Sequence, residues 1–174
     1  MGTDKALVKI GSEAMIQRVV RALHRAQLEP IRIAVARPQD VESYGMVIRG
    51  GPEIEWVLDG NPHSGPIDAI VECLQDPGLG NEDTLQLAPV DCPWVTEELF
   101  ISLRKGLGPD DSLIMPHDGK RPQPLLALLR PSLILEKIVE DRRPLHKQFA
   151  ECSHSIMMVE PSILRNVNHA TDLE

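Results

Sequence analysis

The feature that most constrains this chain is a repeated alternation of short, β-rich apolar runs with longer segments of helical periodicity. Strands that alternate with helices in this way indicate a parallel or mixed sheet with helices on both faces. No internal repeat, low-complexity segment or linker interrupts the pattern over the 174 residues. The sequence therefore predicts an α/β fold in a single domain, residues 1–174.

The apolar runs and the periodic segments can be placed along the chain. Short apolar or β-rich runs lie at residues 6–10, 31–36, 54–58, 84–90, 112–116, 125–129 and 155–159. Helical patterns cover 13–27, 67–74, 96–105, 132–141 and 144–151, with one or two turns at 38–44. Ser12 is a candidate N-cap for the first helix, Thr96 begins another, and Pro131 lies in the first turn of a third. Residues 165–174 form a polar tail.

Composition excludes several classes of function. The net charge of −8 argues against a nucleic-acid or anionic-membrane surface, and an aromatic content of 3% leaves few side chains on which the bases of single strands could stack. The three cysteines are far apart, so neither a disulfide framework nor a zinc site is expected. Because there is no signal-peptide pattern and no apolar run long enough to span a membrane, we expect a cytoplasmic protein.

Polar residues that strand formation does not need follow three predicted strands: Asp59, Asp91 and the turn at residues 117–121. Ligands of open α/β sheets bind beyond the carboxyl ends of the strands. A lone aspartate there is placed to hold a hard cation against a phosphate group. Taken alone, however, an aspartate in an Asp-x-Pro sequence more commonly caps the following turn, and this is the favoured role for Asp91 before other motifs are considered.

The other candidates have simpler alternatives too. Lys5, Lys120 and Arg121 could be solvated surface charges, and Asp59 could be an Asx-turn residue. Asn166 and Asn168 could close a turn through side-chain to backbone bonds.

Taken in order, five short motifs resemble the nucleotidyltransferases of the molybdenum cofactor guanylyltransferase family. Met-Gly-Thr-Asp-Lys at residues 1–5 resembles the end of the family's glycine-rich loop, and Gly65-Pro66-Ile67 its Gly-Pro-Leu turn. Val-Asp-Cys-Pro at 90–93 resembles Cys-Asp-x-Pro, and Gln-Pro-Leu at 123–125 resembles His-Pro-Leu. The last motif comprises Asn-Val-Asn at 166–168 with Asp-Leu at 172–173.

This resemblance implies a Rossmann-like three-layer α/β/α fold and a Mg²⁺-dependent transfer of GMP from GTP to molybdopterin cofactor, with release of pyrophosphate. The roles that it implies are phosphate contact and catalysis for Lys5, metal binding and catalysis for Asp91, and nucleotide binding for Lys5, Asp59, Gly65 and Asp91. Lys120, Arg121, Asn166 and Asn168 are the candidates for acceptor binding. The implied partners are GTP, molybdopterin cofactor and molybdoenzymes or other proteins of cofactor biosynthesis, without nucleic acid or membrane.

The sequence departs from the family pattern at several points. The family's first strand and most of its glycine-rich loop have no counterpart, so we expect a start further upstream or a repurposed, truncated homologue. Ala69, Gln123 and His169-Ala170 replace the family's second glycine, its histidine and its Thr-Pro. Two alternatives therefore stay open: a nucleotidyltransferase that uses CTP or another acceptor, and a non-catalytic homologue that acts as a binding module.

Overall fold

A computed structural model gives the three-dimensional arrangement of residues 4–60, 66–79, 83–138, 143–168 and 172. Contacts divide the chain into two compact units that interleave along the sequence. Unit 1 contains Met1–Asp59, Ala88–Ile101 and Glu160–Glu174, and unit 2 contains Gly60–Leu87 and Ser102–Val159. A single domain stays a prediction, and each unit is described by itself.

The described residues contain strands, α-helices and three short 3₁₀ turns in a mixed order. The strands are β1 Lys9–Ile10, β2 Glu13–Ala14, β3 Ile31–Val35, β4 Ile54–Leu58, β5 Leu85–Gln86, β6 Leu113–His117, β7 Leu128–Leu129 and β8 His154–Met158. The helices are α1 Met15–Arg25, α2 Pro38–Ile48, α3 Pro66–Gln75, α4 Glu97–Gly106, α5 Pro131–Ile138 and α6 Leu145–Ala150. The 3₁₀ turns are Lys5–Leu7, Pro77–Leu79 and Pro124–Leu126.

Unit 1 is built around the parallel pair β3–β4, in which Ile31 lies opposite Ile54. Parallel strands need a crossover, and α2 supplies it between these two. Helix α1 buries one apolar face, which joins the core of the unit. The buried members of that core are Ala6, Ala14, Ile16, Val20, Ile31 and Ile48. The short 3₁₀ turn that carries Lys5 is therefore anchored through Ala6 in the core.

Unit 2 contains a four-stranded mixed sheet in the order β5-β7-β6-β8. Strands β6 and β8 pair in parallel over five residues, whereas β7 is antiparallel to both β5 and β6. Strand β6 is buried at four of its five positions, so both of its faces are covered. Leu129 of β7 lies opposite Leu85 on one side and Leu113 on the other, and its side chain is fully buried.

These elements confirm the predicted α/β class, with smaller and more mixed sheets than expected. The two five-residue pairs, β3–β4 and β6–β8, are parallel, and the two-residue pairs are antiparallel. Helix α5 begins at Pro131, as the sequence predicts. The amide of Leu99 donates to Thr96 Oγ1 at 3.3 Å, so Thr96 caps α4.

Three local predictions were wrong. Ser12 does not cap α1, because residues 13–14 pair with β1 as a strand and the helix starts after Ala14 with no side-chain cap. The strand expected at 84–90 is reduced to β5, since a proline at residue 89 and the turn at 90–91 leave no ladder to continue. The one or two turns expected at 38–44 extend to an 11-residue helix, α2, that ends at Ile48.

The C-terminal tail is not simply a polar surface segment. Val167 is 1% exposed, and Leu164 is also buried. Periodicity could not reveal this, because neither residue belongs to a regular element. None of the helices in the described parts of the chain is long and apolar enough to cross a membrane.

We expect Leu129→Ala to destabilise the protein by about 2–5 kcal/mol, because it removes a fully buried side chain from the centre of the unit 2 sheet. Urea unfolding followed by circular dichroism measures the change. Leu133→Ala is the matched control, since Leu133 on α5 is 46% exposed and its truncation should change stability by less than about 0.5 kcal/mol. Equal effects of the two substitutions would contradict the assigned core.

Candidate functional site

A backbone hydrogen bond joins two candidate motifs that are distant in the sequence. The amide of Val167 donates to the carbonyl oxygen of Asp91 at 2.8 Å. The Val167 side chain is buried, which further fixes this segment against the turn. The turn that carries Asp91 and the segment that carries Asn166 and Asn168 are therefore neighbours in unit 1.

Lys5 joins the same group of residues. Its Nζ donates to Oδ1 of Asn168 at 3.1 Å. The backbone amide of Asn168 in turn donates to a carboxylate oxygen of Asp172 at 2.7 Å. The structure thus gathers three predicted motifs, which contribute Lys5, Asp91 and the pair Asn166 and Asn168, into one cluster, which we call the Lys5–Asp91 cluster.

The carboxylate of Asp91 does not cap the turn in which it lies. That turn is closed by the backbone, since the amide of Cys92 donates to the carbonyl oxygen of Pro89 at 3.3 Å. Among the described residues, the one donor to the Asp91 carboxylate is the Cys92 thiol at 3.8 Å, a weak contact because the single thiol proton is shared with Oδ1 of Asn166 at 3.3 Å. The side chain is half-buried. Its oxygens retain the capacity to bind a ligand, unlike those of a capping aspartate.

The side chains of Asn166 and Asn168 do not close a local turn, which was the simpler alternative, but bond to distant residues. Oδ1 of Asn166 accepts from the Cys92 thiol at 3.3 Å, and Oδ1 of Asn168 accepts from Lys5. The first bond spans 74 positions of the sequence and the second spans 163. The asparagines therefore connect the C-terminal segment to the residues of the cluster.

The structure shows the position of Asp59 but does not describe Gly65. Asp59 follows β4 directly, and its amide donates to the carbonyl oxygen of Val35 at 2.9 Å, which extends the pairing of β3 and β4 by one bond. Its position at the carboxyl end of a parallel strand agrees with the prediction. Gly65 lies outside the described residues.

Lys120 and Arg121 lie together in unit 2, on a turn that Asp118 organises. The amides of Lys120 and Arg121 each donate to Oδ1 of Asp118 at 2.8 Å. Gly119 has a φ of 89°, a left-handed conformation that suits glycine. These backbone hydrogen bonds lower the pKa of Asp118 below its ordinary value, because they stabilise the ionised carboxylate. Both basic side chains are exposed, and Arg121 is 71% exposed.

Unit 1 also contains a cavity of about 250 Å³ that none of the candidate residues lines. Three arginines of α1 face it at helical spacing: Arg18, Arg21 and Arg25. Each has a partner within the unit. Arg18 Nε donates to the carbonyl of Pro93 at 3.0 Å, and the other two pair with glutamates at positions 13 and 97. The arginines consequently serve to join α1 to its surroundings.

Sequence reasoning missed two interactions beside the cluster. The guanidinium of Arg165 stacks over the ring of Trp94 at 4.1 Å from its centroid, a cation–π contact that helps to hold the C-terminal segment. Oη of Tyr44 donates to Oδ2 of Asp4 at 2.7 Å, next to Lys5. The presence of Asp4 directly before Lys5 could have suggested the second interaction. Sequence spacing could not identify Tyr44 on α2 as its partner.

Solved structures of other proteins share the fold of this chain. It is similar to molybdopterin-guanine dinucleotide biosynthesis protein A from Archaeoglobus fulgidus, with a TM-score of 0.70 at 21% identity over 99% of this chain and 88% of that one. It is also similar to 4-diphosphocytidyl-2C-methyl-D-erythritol synthase from Anaerococcus prevotii, with a TM-score of 0.79 at 12% identity over 97% and 89%. At these identities the likeness establishes a shared α/β fold alone.

Residues 1–152 match the family described as the MobA-like NTP transferase domain, and the chain belongs to that family. The resemblance stated from the motifs is thereby confirmed. The match ends before the segment that carries Asn166 and Asn168.

Two relatives show how far the similarity extends. Both are molybdenum cofactor guanylyltransferases. The protein from Shewanella sp. (strain ANA-3) is 28% identical over 133 residues, or 76% of this chain and 62% of its own length. The protein from Photobacterium profundum is 32% identical over 129 residues, or 74% and 60%. The aligned part of the chain therefore spans about three fifths of these curated relatives.

We expect the Asp118 carboxyl to titrate below its ordinary pKa, because its ionised form accepts the amides of Lys120 and Arg121. A depressed folded-state pKa means that the stabilisation is present above the unfolded pKa of about 3.9 and is lost as the pH falls through the folded value. NMR should show both amide resonances shifting with the midpoint of the Asp118 carboxyl. A midpoint at or above the ordinary value would contradict this turn geometry.

Proposed function

We propose that this chain forms the nucleotide-transfer site of a Mg²⁺-dependent guanylyltransferase, which transfers GMP from GTP to molybdopterin cofactor. The observation that carries the proposal is the Lys5–Asp91 cluster. It combines an ammonium group, a carboxylate that accepts only a weak thiol bond among the described residues, and two amides, drawn from three distant parts of the sequence. Family membership and relatives that are molybdenum cofactor guanylyltransferases support the reaction class and the substrates.

The residues of the cluster fit a magnesium ion that is bound together with its substrate. Mg²⁺ prefers oxygen ligands and is commonly held by one or two carboxylates plus substrate phosphates and water. Asp91 supplies such a carboxylate. Within the described residues, no group of three or more His, Cys, Asp and Glu side chains could hold a metal by itself. When bound, the ion would neutralise phosphate charge, and Asp91 would be its protein ligand.

The transfer requires alignment and charge neutralisation more than covalent chemistry by the protein. A terminal phosphate oxygen of the acceptor attacks the α-phosphorus of GTP. The new P–O bond forms as the bond from the α-phosphorus to the bridging oxygen breaks, and pyrophosphate leaves with the electron pair. Lys5 would contact the phosphates as a mobile point charge, and Asn168, which accepts from it, would hold it ready.

The remaining residues are assigned to binding. Asp59, at the end of β4, and Gly65 would contact the nucleotide. Asn166 and Asn168 would bind the acceptor from within unit 1. Lys120 and Arg121, both exposed on the Asp118 turn, would attract the acceptor phosphate. The assignments of Asp59, Gly65 and the two asparagines rest on the resemblance to the family, whereas those of Lys120 and Arg121 rest on their positive charge in the turn after β6.

We expect the chain to bind GTP in the presence of Mg²⁺, and Asp91→Asn to weaken that binding by roughly 10- to 100-fold, because it removes the charged metal ligand. Isothermal titration calorimetry with and without Mg²⁺ measures both effects. Asp110→Asn, at an exposed turn position, is the matched control and should leave the affinity unchanged. Metal-dependent GTP binding that Asp91→Asn does not alter would remove Asp91 from the metal site. No metal-dependent binding at all would favour the binding-module alternative.

Release of pyrophosphate distinguishes the nucleotide substrates. With molybdopterin cofactor as the acceptor, we expect release from GTP at least about tenfold faster than from CTP or ATP, since a site that hydrogen-bonds one base leaves its polar groups unpaired with another. A coupled pyrophosphate assay at matched nucleotide concentrations measures the three rates. A preference for CTP would instead support the alternative that uses a different nucleotide.

A further inference from the structure

The position of Lys5 depends on Asp4. Lys5 begins a 3₁₀ turn of only three residues, and a single turn has little stability of its own. Asp4 closes this turn in two ways. Its carbonyl oxygen accepts from the amide of Leu7 at 3.2 Å, and its Oδ1 accepts from the amide of Ala6 at 3.0 Å. Any rotation of the Asp4 carboxylate would release the amide of Ala6 and loosen the turn.

The second oxygen of that carboxylate is held from outside the turn. Tyr44 Oη donates to Asp4 Oδ2 at 2.7 Å, so both carboxylate oxygens are engaged at once. Burial and the hydrogen bond to Asp4 raise the pKa of Tyr44, so the hydroxyl keeps its proton and remains a donor at physiological pH. A hydrogen bond from a hydroxyl to a carboxylate is charge-assisted and therefore stronger than one between neutral groups.

The hydroxyl is supported by a well-anchored helix. Tyr44 lies in the second half of α2, and its ring packs against the core of unit 1. Arg37 donates twice to Asp40 at the first turn of α2, at 2.8 and 3.2 Å, and Ile48 is buried at the other end. The position of the Tyr44 hydroxyl is consequently fixed by α2, and its hydrogen bond to Asp4 constrains the turn that carries Lys5.

We propose that Tyr44 is a positioning residue for nucleotide binding, which acts through Asp4 to hold the Lys5 turn in the conformation that meets the triphosphate. This inference rests on the proposed function of the same site. Among the described residues, Tyr44 Oη bonds to Asp4, and the Lys5 ammonium bonds to Asn168. Its effect on binding should therefore pass entirely through Lys5.

The test compares two substitutions that each remove one hydroxyl from α2. Tyr44→Phe keeps the ring and its packing and loses the bond to Asp4. Ser43→Ala removes a hydroxyl whose one hydrogen bond within the described residues is to the carbonyl of Gln39, one turn earlier in the same helix. We expect Tyr44→Phe to weaken the binding of GTP with Mg²⁺ by about tenfold and Ser43→Ala to leave it unchanged. In a Lys5→Ala background, Tyr44→Phe should have no further effect, because the group that it positions is gone.

Amide hydrogen exchange provides a readout that needs no nucleotide. We expect exchange at Ala6 and Leu7 to become about tenfold faster in Tyr44→Phe and to stay unchanged in Ser43→Ala. Unchanged exchange in Tyr44→Phe would overturn the positioning role, whatever the binding data. Faster exchange with undiminished GTP affinity would overturn the link to Lys5. Faster exchange in a chain that binds no GTP would leave the mechanical role of Tyr44 standing and count against the proposed function instead.

Discussion

The hydrogen bond from the amide of Val167 to the carbonyl of Asp91 is the interaction on which the candidate site depends. It ties the C-terminal segment of unit 1 to the turn after residue 89, and the burial of Val167 protects it from water. Each further contact of the segment builds on this attachment: Asn166 with the Cys92 thiol, Arg165 with the ring of Trp94, and Asn168 with Lys5. A buried backbone bond of this kind is costly to leave unmade, which explains why a segment without regular secondary structure has a defined course.

The aspartates of this chain show how the same residue type acquires different roles from its hydrogen bonds. In Asp4 and Asp118 the carboxylates accept backbone amides, and both residues organise turns that carry basic side chains. The carboxylate of Asp40 is occupied by Arg37. Among the described residues, Asp91 accepts only a weak thiol bond. A carboxylate whose oxygens are already engaged must give up those bonds to take a metal, so Asp91 is the member of this group with the chemistry of a ligand.

The α/β class was predictable because it follows from periodicity, which helices such as α1 and the five-residue strands display locally. The cap by Thr96 and the start at Pro131 were predictable for the same reason, since capping and proline geometry act within one turn. Ser12 failed as a cap because the chain pairs β1 with β2 before the helix begins, and that pairing is a contact between segments. The strand expected at residues 84–90 is shorter because the proline at residue 89 and the turn at 90–91 end it, and its pairing with β7 covers two residues.

By itself, the sequence determined the order of the elements, the family resemblance and the identity of the candidate residues Lys5, Asp91, Asn166 and Asn168. Local propensity depends on neighbouring residues, and motif order can be read along the chain, so both can be derived without knowledge of the fold. The tertiary structure alone decided that these residues meet, that the Asp91 carboxylate is left without a turn to cap, and that Tyr44 holds Asp4 beside Lys5. These contacts join residues 40 to 163 positions apart, and no local preference specifies which distant partners a packed core will bring together.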